Sequence, residues 1–144
     1  MKIIATALLI TATFAANAQE TKIKPTDLPN DAMEFIHTHF PKTTVKTAVR
    51  DTDKETKTVT YEVVLADATE IEFKDTGSWK EIDGKGSAVP VALIPKPFWE
   101  YVKKNYPKEE VLKIDKGAQE IELKLTNGVE VVFDIHGRFL RIDK

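Results

Sequence analysis

The chain predicts an α+β fold: two tandem helix-plus-four-stranded antiparallel units sharing one sheet, with the helices on one face. Three observations predict it. First, the sequence repeats itself. LPNDAMEFIHTHFP (28–41) is echoed 66 residues later by IPKPFWEYVKKNYP (94–107), and YEVVLADATEIEFKDTGSWKEID (61–83) is echoed 60 residues later by IELKLTNGVEVVFDIHGRFLRID (121–143). Second, within each copy the apolar period changes from helical spacing to strict alternation, the mark of a helix followed by half-buried strands. Third, each copy is only about 60 residues long and the chain has no cysteine, so neither half has a large enough core to stand alone. A shared core, built by stacking two copies, is the remaining solution.

The segment 1–18 reads as a signal peptide. Lys2 supplies the positive end, Ile3 to Ala16 the apolar run, and Ala16-Asn17-Ala18 a cleavage site. That run is too short to span a bilayer. Of 144 residues, removal of these 18 leaves 126, and the formal charge moves from −2 to −3 with the loss of Lys2. No cysteine is present to carry a lipid anchor at the cleavage site or a disulfide elsewhere. The expected location is therefore periplasmic or secreted, with no membrane insertion after cleavage. The weak acidity gives no electrostatic reason for nucleic acid as a partner. Residues 19–27 are polar and read as a disordered N-terminal segment. The first unit is 28–83, a linker covers 84–93 with a flexible seam from Gly84 to Ala88, and the second unit is 94–144.

Each unit opens with a helix. Asn30 or Asp31 can cap the first, and Ala32, Met33, Ile36 and Phe40 recur at helical spacing. In the second, Pro97 occupies the first turn, where proline is tolerated, and Phe98, Trp99, Val102 and Tyr106 form the stripe. Pro41 and Pro107 end both helices, because proline pushes its predecessor out of the α region.

The strands follow. Tyr61, Val63 and Leu65 alternate with polar neighbours, as do Ile71 and Phe73, and the second copy offers Ile121, Leu123, Leu125, Val129, Val131 and Phe133. Facing residues of an antiparallel pair lie on the same side of a sheet. Placing both apolar sets on one side requires Val63 opposite Ile71 and Tyr61 opposite Phe73. The loop is then Ala66, Asp67, Ala68, and in the second copy Thr126, Asn127, Gly128. Such three-residue loops end on a left-handed residue, a position that suits Gly128 and not Ala68. The next turns enclose Asp75 to Gly77 and Ile135 to Gly137. Beyond Trp79 the alternation fails, and Ile82 and Ile142 fall on the wrong phase. A further strand is expected in each copy near Thr44 to Arg50 and Glu110 to Asp115. The charged loop Asp51 to Lys57 accounts for the six-residue difference between copies.

These residues resemble the β-lactamase-inhibitor-like, PepSY-like family of exported Bacteroidetes proteins. The resemblance rests on the repeated (L/I)P…(F/Y)P helix and on the strand pairs within 61–79 and 121–139. It implies two tandem helix-plus-antiparallel-sheet units, exported, without established catalytic chemistry. The inhibitor named in the family description carries disulfides, and no inhibitory residues carry over to a chain without cysteine.

Chemistry-bearing motifs are sparse. His37 and His39 stand two apart on a helix and point in different directions, whereas a helical chelate needs a spacing of three or four. His136 lies in a turn. Ser78 and Ser87 lie in turn and seam segments with no nucleophile motif, and no glycine-rich phosphate loop is present. Trp79 and Trp99 match core positions of the repeat. The expectation is no catalytic site, no metal site and no cofactor. If the apolar sets face the helices, the open side carries Glu62, Val64, Glu70, Glu72, Lys74, Glu122, Lys124, Glu130, Val132 and Asp134. Val64 and Val132 within that charged rim outline a small interface, and the candidate binding face is Glu62, Val64, Glu72, Glu122, Lys124, Glu130 and Val132. The expected function is an exported non-catalytic binding module that engages a still unidentified protein through this face. The alternative is an envelope carrier of a small ligand or metal.

Overall fold

The computed structural model describes residues 18–144. The signal segment expected over 1–18 lies outside the described residues except for Ala18. Nine strands form one antiparallel sheet whose spatial order follows the chain, and two α-helices accompany it. The order is β1 (Ala18–Ile23), α1 (Asn30–His39), β2 (Val45–Asp53), β3 (Val59–Leu65), β4 (Glu70–Lys74) and β5 (Trp79–Asp83). It continues with α2 (Lys96–Asn105), β6 (Val111–Lys116), β7 (Glu120–Leu125), β8 (Glu130–Asp134) and β9 (Phe139–Asp143). No helix among the described residues is long and apolar enough to cross a membrane.

Both helices begin at proline. Pro29 and Pro95 are the capping positions, and neither helix has a side-chain cap. The expected cap by Asn30 or Asp31 is thus corrected: both already lie inside α1, and the Pro29 carbonyl accepts the Met33 amide at 3.1 Å. The ends fall as the prolines dictate. Phe40 and Tyr106, each preceding a proline, leave the helical region at φ −128° and −135°. Ala32, Ile36, Phe98 and Val102 are buried, and Phe35 meets Phe73 edge-on with ring centroids 5.7 Å apart. Phe98 and Tyr101 lie 4.9 and 5.2 Å from Phe133. One buried cluster joins residues of both helices to Ile71, Ile82, Ile114 and Leu123 of the sheet.

The hairpin registers follow the apolar pattern. Val63 faces Ile71 and Tyr61 faces Phe73; Leu123 faces Val131 and Ile121 faces Phe133. The loops close at the expected residues, with the Ala68 amide donating to Leu65 at 2.9 Å and that of Gly128 to Leu125 at 3.0 Å. Both third residues are left-handed, φ 76° at Ala68 and 84° at Gly128. Asp67 and Asn127 hold these loops alike, each accepting the amide two residues on at 3.0 Å. At the next turn Gly77 is left-handed at 87°, and a β-carbon there would meet Asp31 Cβ at 2.9 Å. The turn packs directly beneath the start of α1.

Ile82 finds its place through a bulge. Phe73 faces Trp79, but Glu72 faces Glu81 and Ile71 faces Ile82, so β5 carries one extra residue, Lys80. The extra residue inverts the phase of the strand. Ile82 thereby turns to the core, is fully buried, and faces Ile114 of β6. β9 contains the same irregularity, so Ile142 faces Val131. Ile142 stays 39% exposed because no strand lies beyond β9 among the described residues.

Two expectations at the termini of the units are corrected. The segment 19–27 is not disordered: Ala18–Ile23 forms β1, and Pro25–Asp27 a 3-10 turn. Ile23 faces Ala48 on β2 as Ile82 faces Ile114 on β6, and Ala48 and Ile114 are 66 residues apart. β2 would otherwise present its unpaired edge to water, and β1 covers it. Polar side chains concealed this strand, since its amides and carbonyls make the pairing. The seam at 84–88 is also held: the Gly84 amide donates to Leu112 and that of Val89 to Val111, both at 2.8 Å. The extra length of the first copy lengthens the β2–β3 hairpin, whose tip is tied by Asp53 accepting the Glu55 and Thr56 amides.

Ala68→Gly is expected to be neutral to stabilising, and Gly128→Ala to cost about 1 kcal/mol, because a β-carbon is disfavoured at positive φ. Urea midpoints of the two variants decide it. Ile82→Ala is expected to lower stability by roughly 2–5 kcal/mol, the range for a fully buried isoleucine; calorimetry showing less than half of that would contradict the buried junction.

Candidate binding face

The registers gather acidic side chains into rows. Following Cα partners from β3 to β7, Glu62 faces Glu72, Glu72 faces Glu81, Glu81 faces Asp115, and Asp115 faces Glu122. Five carboxylates therefore stand side by side on consecutive strands, a row about 19 Å long at ~4.8 Å per strand. The row continues to Val132 and Arg141 on β8 and β9. A parallel row runs Val64, Glu70, Asp83, Lys113, Lys124, Glu130, Asp143. Like charges directly opposite are unfavourable in a sheet. In water each adjacent pair costs about 0.8 kcal/mol before salt screening.

Neighbouring cations offset part of this repulsion. Lys113 Nζ lies 3.0 Å from Glu81, and Lys80, the bulge residue, 3.6 Å from Glu72. Lys85 bridges Glu70 and Asp83 at 3.0 and 3.3 Å. Burial alone would lower the Lys113 pKa, but Glu81 and the surrounding carboxylates raise it. At the two ends of the row the repulsion remains visible. Loss of hydration, then Glu72 and further acids, holds the Glu62 carboxyl above its ordinary value. Loss of hydration, then Glu130 and Asp115, does the same for Glu122. One carboxylate oxygen of Asp115 and one of Asp51 are buried without a hydrogen-bond partner.

The seven candidate residues fall on these two rows: Glu62, Glu72, Glu122 and Val132 on the first, Val64, Lys124 and Glu130 on the second. Val132 needs correction as a docking residue, because it is fully buried. Its neighbours across the sheet are Glu122 and Arg141, and Arg141 reaches across β8 to Glu120 with two hydrogen bonds of 2.8 Å. Val64 remains partly exposed, and Lys124 is exposed. Glu81 and Asp115, the middle of the acidic row, were missed from sequence. The bulge at Lys80 hides the face of Glu81, and the β5–β6 pairing crosses a 30-residue excursion through α2.

The face has the form of a surface, not a cleft. Glu62, Val64, Glu70, Glu72 and Glu81 line a shallow depression of roughly 150 Å³, and a wider hollow beside Asp115 and Glu122 lies open over the β6–β7 turn. Among the described residues no group of three or more histidine, cysteine or acidic side chains is arranged to hold a metal ion. The Ser78 hydroxyl meets that of Thr76 at 3.0 Å, not a general base. His37 is exposed, and His39 packs its ring 4.6 Å from that of Phe35. Trp79 lies near Phe35, and Lys116 sits 3.5 Å above its ring. Trp99 is partly buried against the core.

With two helices, a nine-stranded antiparallel sheet and a charged surface among the described residues, the class of protein is a small mixed-fold domain. The family described as "Putative beta-lactamase-inhibitor-like, PepSY-like" matches residues 59–141, and the chain belongs to it. Solved structures agree. A "putative periplasmic protein" of the DUF2874 family from Bacteroides vulgatus ATCC 8482 is 37% identical with a TM-score of 0.83, over 88% of this chain and 98% of that one. A second periplasmic protein of unknown function from the same strain is 38% identical with a TM-score of 0.82, over 88% and 99%. A "putative calcium-regulated periplasmic protein" from Bacteroides thetaiotaomicron is 36% identical with a TM-score of 0.82, over 87% and 97%. No curated protein matches the chain.

The acidic row has a consequence for pH. Folding raises the Glu62 and Glu122 pKa above the ordinary 4.5, so the native state keeps protons that the unfolded chain has released. Their penalty is absent below the unfolded pKa and complete above the raised one. Glu62 is exposed by area, and solvent screening limits the size of the effect. The Glu62→Gln/Glu122→Gln variant is expected to be more stable than wild type near pH 7, by about 0.5 kcal/mol per site, the scale of one cross-strand pair. The gain should vanish by about pH 4, where the carboxyls are already protonated. Urea denaturation at both pH values tests this, and an equal gain at both would remove the electrostatic cause.

Proposed function

We infer that the protein is an exported, non-catalytic binding module that engages a protein partner through its acidic sheet face. The observation that carries this reading is the row Glu62, Glu72, Glu81, Asp115, Glu122. A monomeric fold gains nothing from five adjacent carboxylates, whereas a cationic surface docked on them would relieve the repulsion and draw the partner in. Supporting the exported part are the cleavage sequence ending at Ala18 and the description of the structural neighbours as periplasmic. We take the architecture as two tandem helix-plus-sheet units with both helices over the apolar face. Its support is that Phe73, beneath α1, and Phe133, beneath α2, lie on the same side by register.

The test is capture from periplasmic extract with wild type and a Glu62→Lys/Glu122→Lys variant. Wild type should recover a partner that the variant loses, and recovery should fall as salt rises, because screening acts over about 8 Å at physiological ionic strength. Equal recovery by both proteins removes this face from consideration.

A second reading, an envelope carrier of a metal or small ligand, is favoured by the calcium-regulated description of the Bacteroides thetaiotaomicron relative. Native mass spectrometry of protein purified from its source separates the two. A stoichiometric calcium lost in Glu72→Gln/Asp115→Asn would favour the carrier, and a clean apo mass the docking module.

A further inference from the structure

The two edges of the sheet are not alike. β1 carries AQETKI, and its first five residues are exposed and largely polar. Such an edge discourages further pairing. β9 is the opposite. Of the five exposed large apolar side chains among the described residues, four lie in β9 or the turn before it: Ile135, Phe139, Leu140 and Ile142. Repeat architectures ordinarily finish in a polar cap, and here the last strand is the apolar one.

The structure already shows what this strand does when it has a partner. β5 occupies the place of β9 one copy earlier, with Ile82 standing 60 residues before Ile142. There the strand pairs with β6 through Glu81↔Asp115, Ile82↔Ile114 and Asp83↔Lys113, and both isoleucines are fully buried. Three pairs thus suffice to continue the sheet. β9 presents the same bulged geometry to solvent, with no further strand paired to it among the described residues.

We propose that β9 pairs antiparallel with β9 of a second copy of this chain, about a twofold axis at Ile142. The sequence around that residue, Arg141-Ile142-Asp143, is self-complementary in this register. Centred on Ile142, the two isoleucines face each other and Arg141 of each copy faces Asp143 of the other. Centring on residue 141 sets arginine against arginine, and centring on 143 sets aspartate against aspartate, both unfavourable. Arg141 already binds Glu120 through Nη1 and Nη2 and its own Asp143 through Nε at 3.3 Å. The interface is isologous and therefore closes at two copies, whereas pairing β9 with the polar β1 edge would run head to tail into a filament. The twofold keeps both acidic faces on the same side, so the pair presents one doubled acidic surface to a partner.

Sedimentation velocity over a concentration series, combined with single-cysteine crosslinking, tests the pairing. Wild type should shift from monomer toward dimer as concentration rises. Ile142→Glu should remain monomeric with an unchanged circular dichroism spectrum, since residue 142 lies 39% exposed at the sheet edge. The chain has no cysteine, so Ile142→Cys introduces a single thiol. Directly opposite β-carbons in such a pair approach within about 4.5–5.5 Å, near enough for a disulfide after a small adjustment. Mild oxidation should link Ile142→Cys into a covalent dimer and leave Thr21→Cys on β1 unlinked. A wild type that stays monomeric at every concentration overturns the proposal. So does a dimer that survives Ile142→Glu, or one that crosslinks through residue 21 in preference to 142. Should Ile142→Glu fail to fold, the cysteine pair decides alone.

Discussion

The three residue pairs between β5 and β6 are the constraint on which the rest of the molecule depends. Glu81↔Asp115, Ile82↔Ile114 and Asp83↔Lys113 join two short meanders into one sheet and merge their cores. The join works because β5 carries an extra residue at Lys80. Without that bulge Ile82 would point to the acidic face and Glu81 into the core, and burying an unpaired carboxylate costs far more than one apolar contact yields. The bulge converts a strand with mismatched phase into one that is apolar on the correct side at both ends.

The same bulge builds the acidic face. Turning Ile82 inward turns Glu81 outward, into line with Glu72 on one side and Asp115 on the other. The carboxylate row is thus a by-product of the core in geometry, but its composition is not. Lysines at positions 72 and 115, the second and fourth of the row, would have given alternating charge. The fold keeps the acids and tempers them with Lys80 and Lys113, which reach in from beside the row. The repulsion that remains at Glu62 and Glu122 is thus retained on an otherwise well-packed sheet.

Edges receive different treatment at the two ends. The N-terminal segment folds back as β1 and takes on β2 the position that β5 takes on β6. Its polar residues then make a safe outer edge. Phe139 rests flat on Tyr101 with centroids 5.1 Å apart, so the far end is ordered, yet it leaves its apolar side chains in water.

Periodicity and repetition alone determined much of the protein. Helix positions and ends followed from the stripes and from Pro41 and Pro107. The β3–β4 and β7–β8 registers followed from requiring Val63 and Ile71, or Leu123 and Val131, to share a side. The left-handed Ala68 followed from its match to Gly128, and membership of the family was legible in the same repeated segments. These features are local, set by residues within about twenty positions of one another. Tertiary structure decided the rest. Whether Gln19 to Ile23 forms a strand depends on a free edge of β2, not on its own polar side chains. Burial of Ile82 but not Ile142 depends on a neighbour that one strand has and the other lacks. Burial of Val132 depends on Arg141 reaching across β8 to Glu120. The acidic row depends on β5 meeting β6 after the chain has passed through α2. Alternation along a strand tells which residues share a side, but not which strand will lie next to it, and it is that neighbour which turns scattered acids into a row.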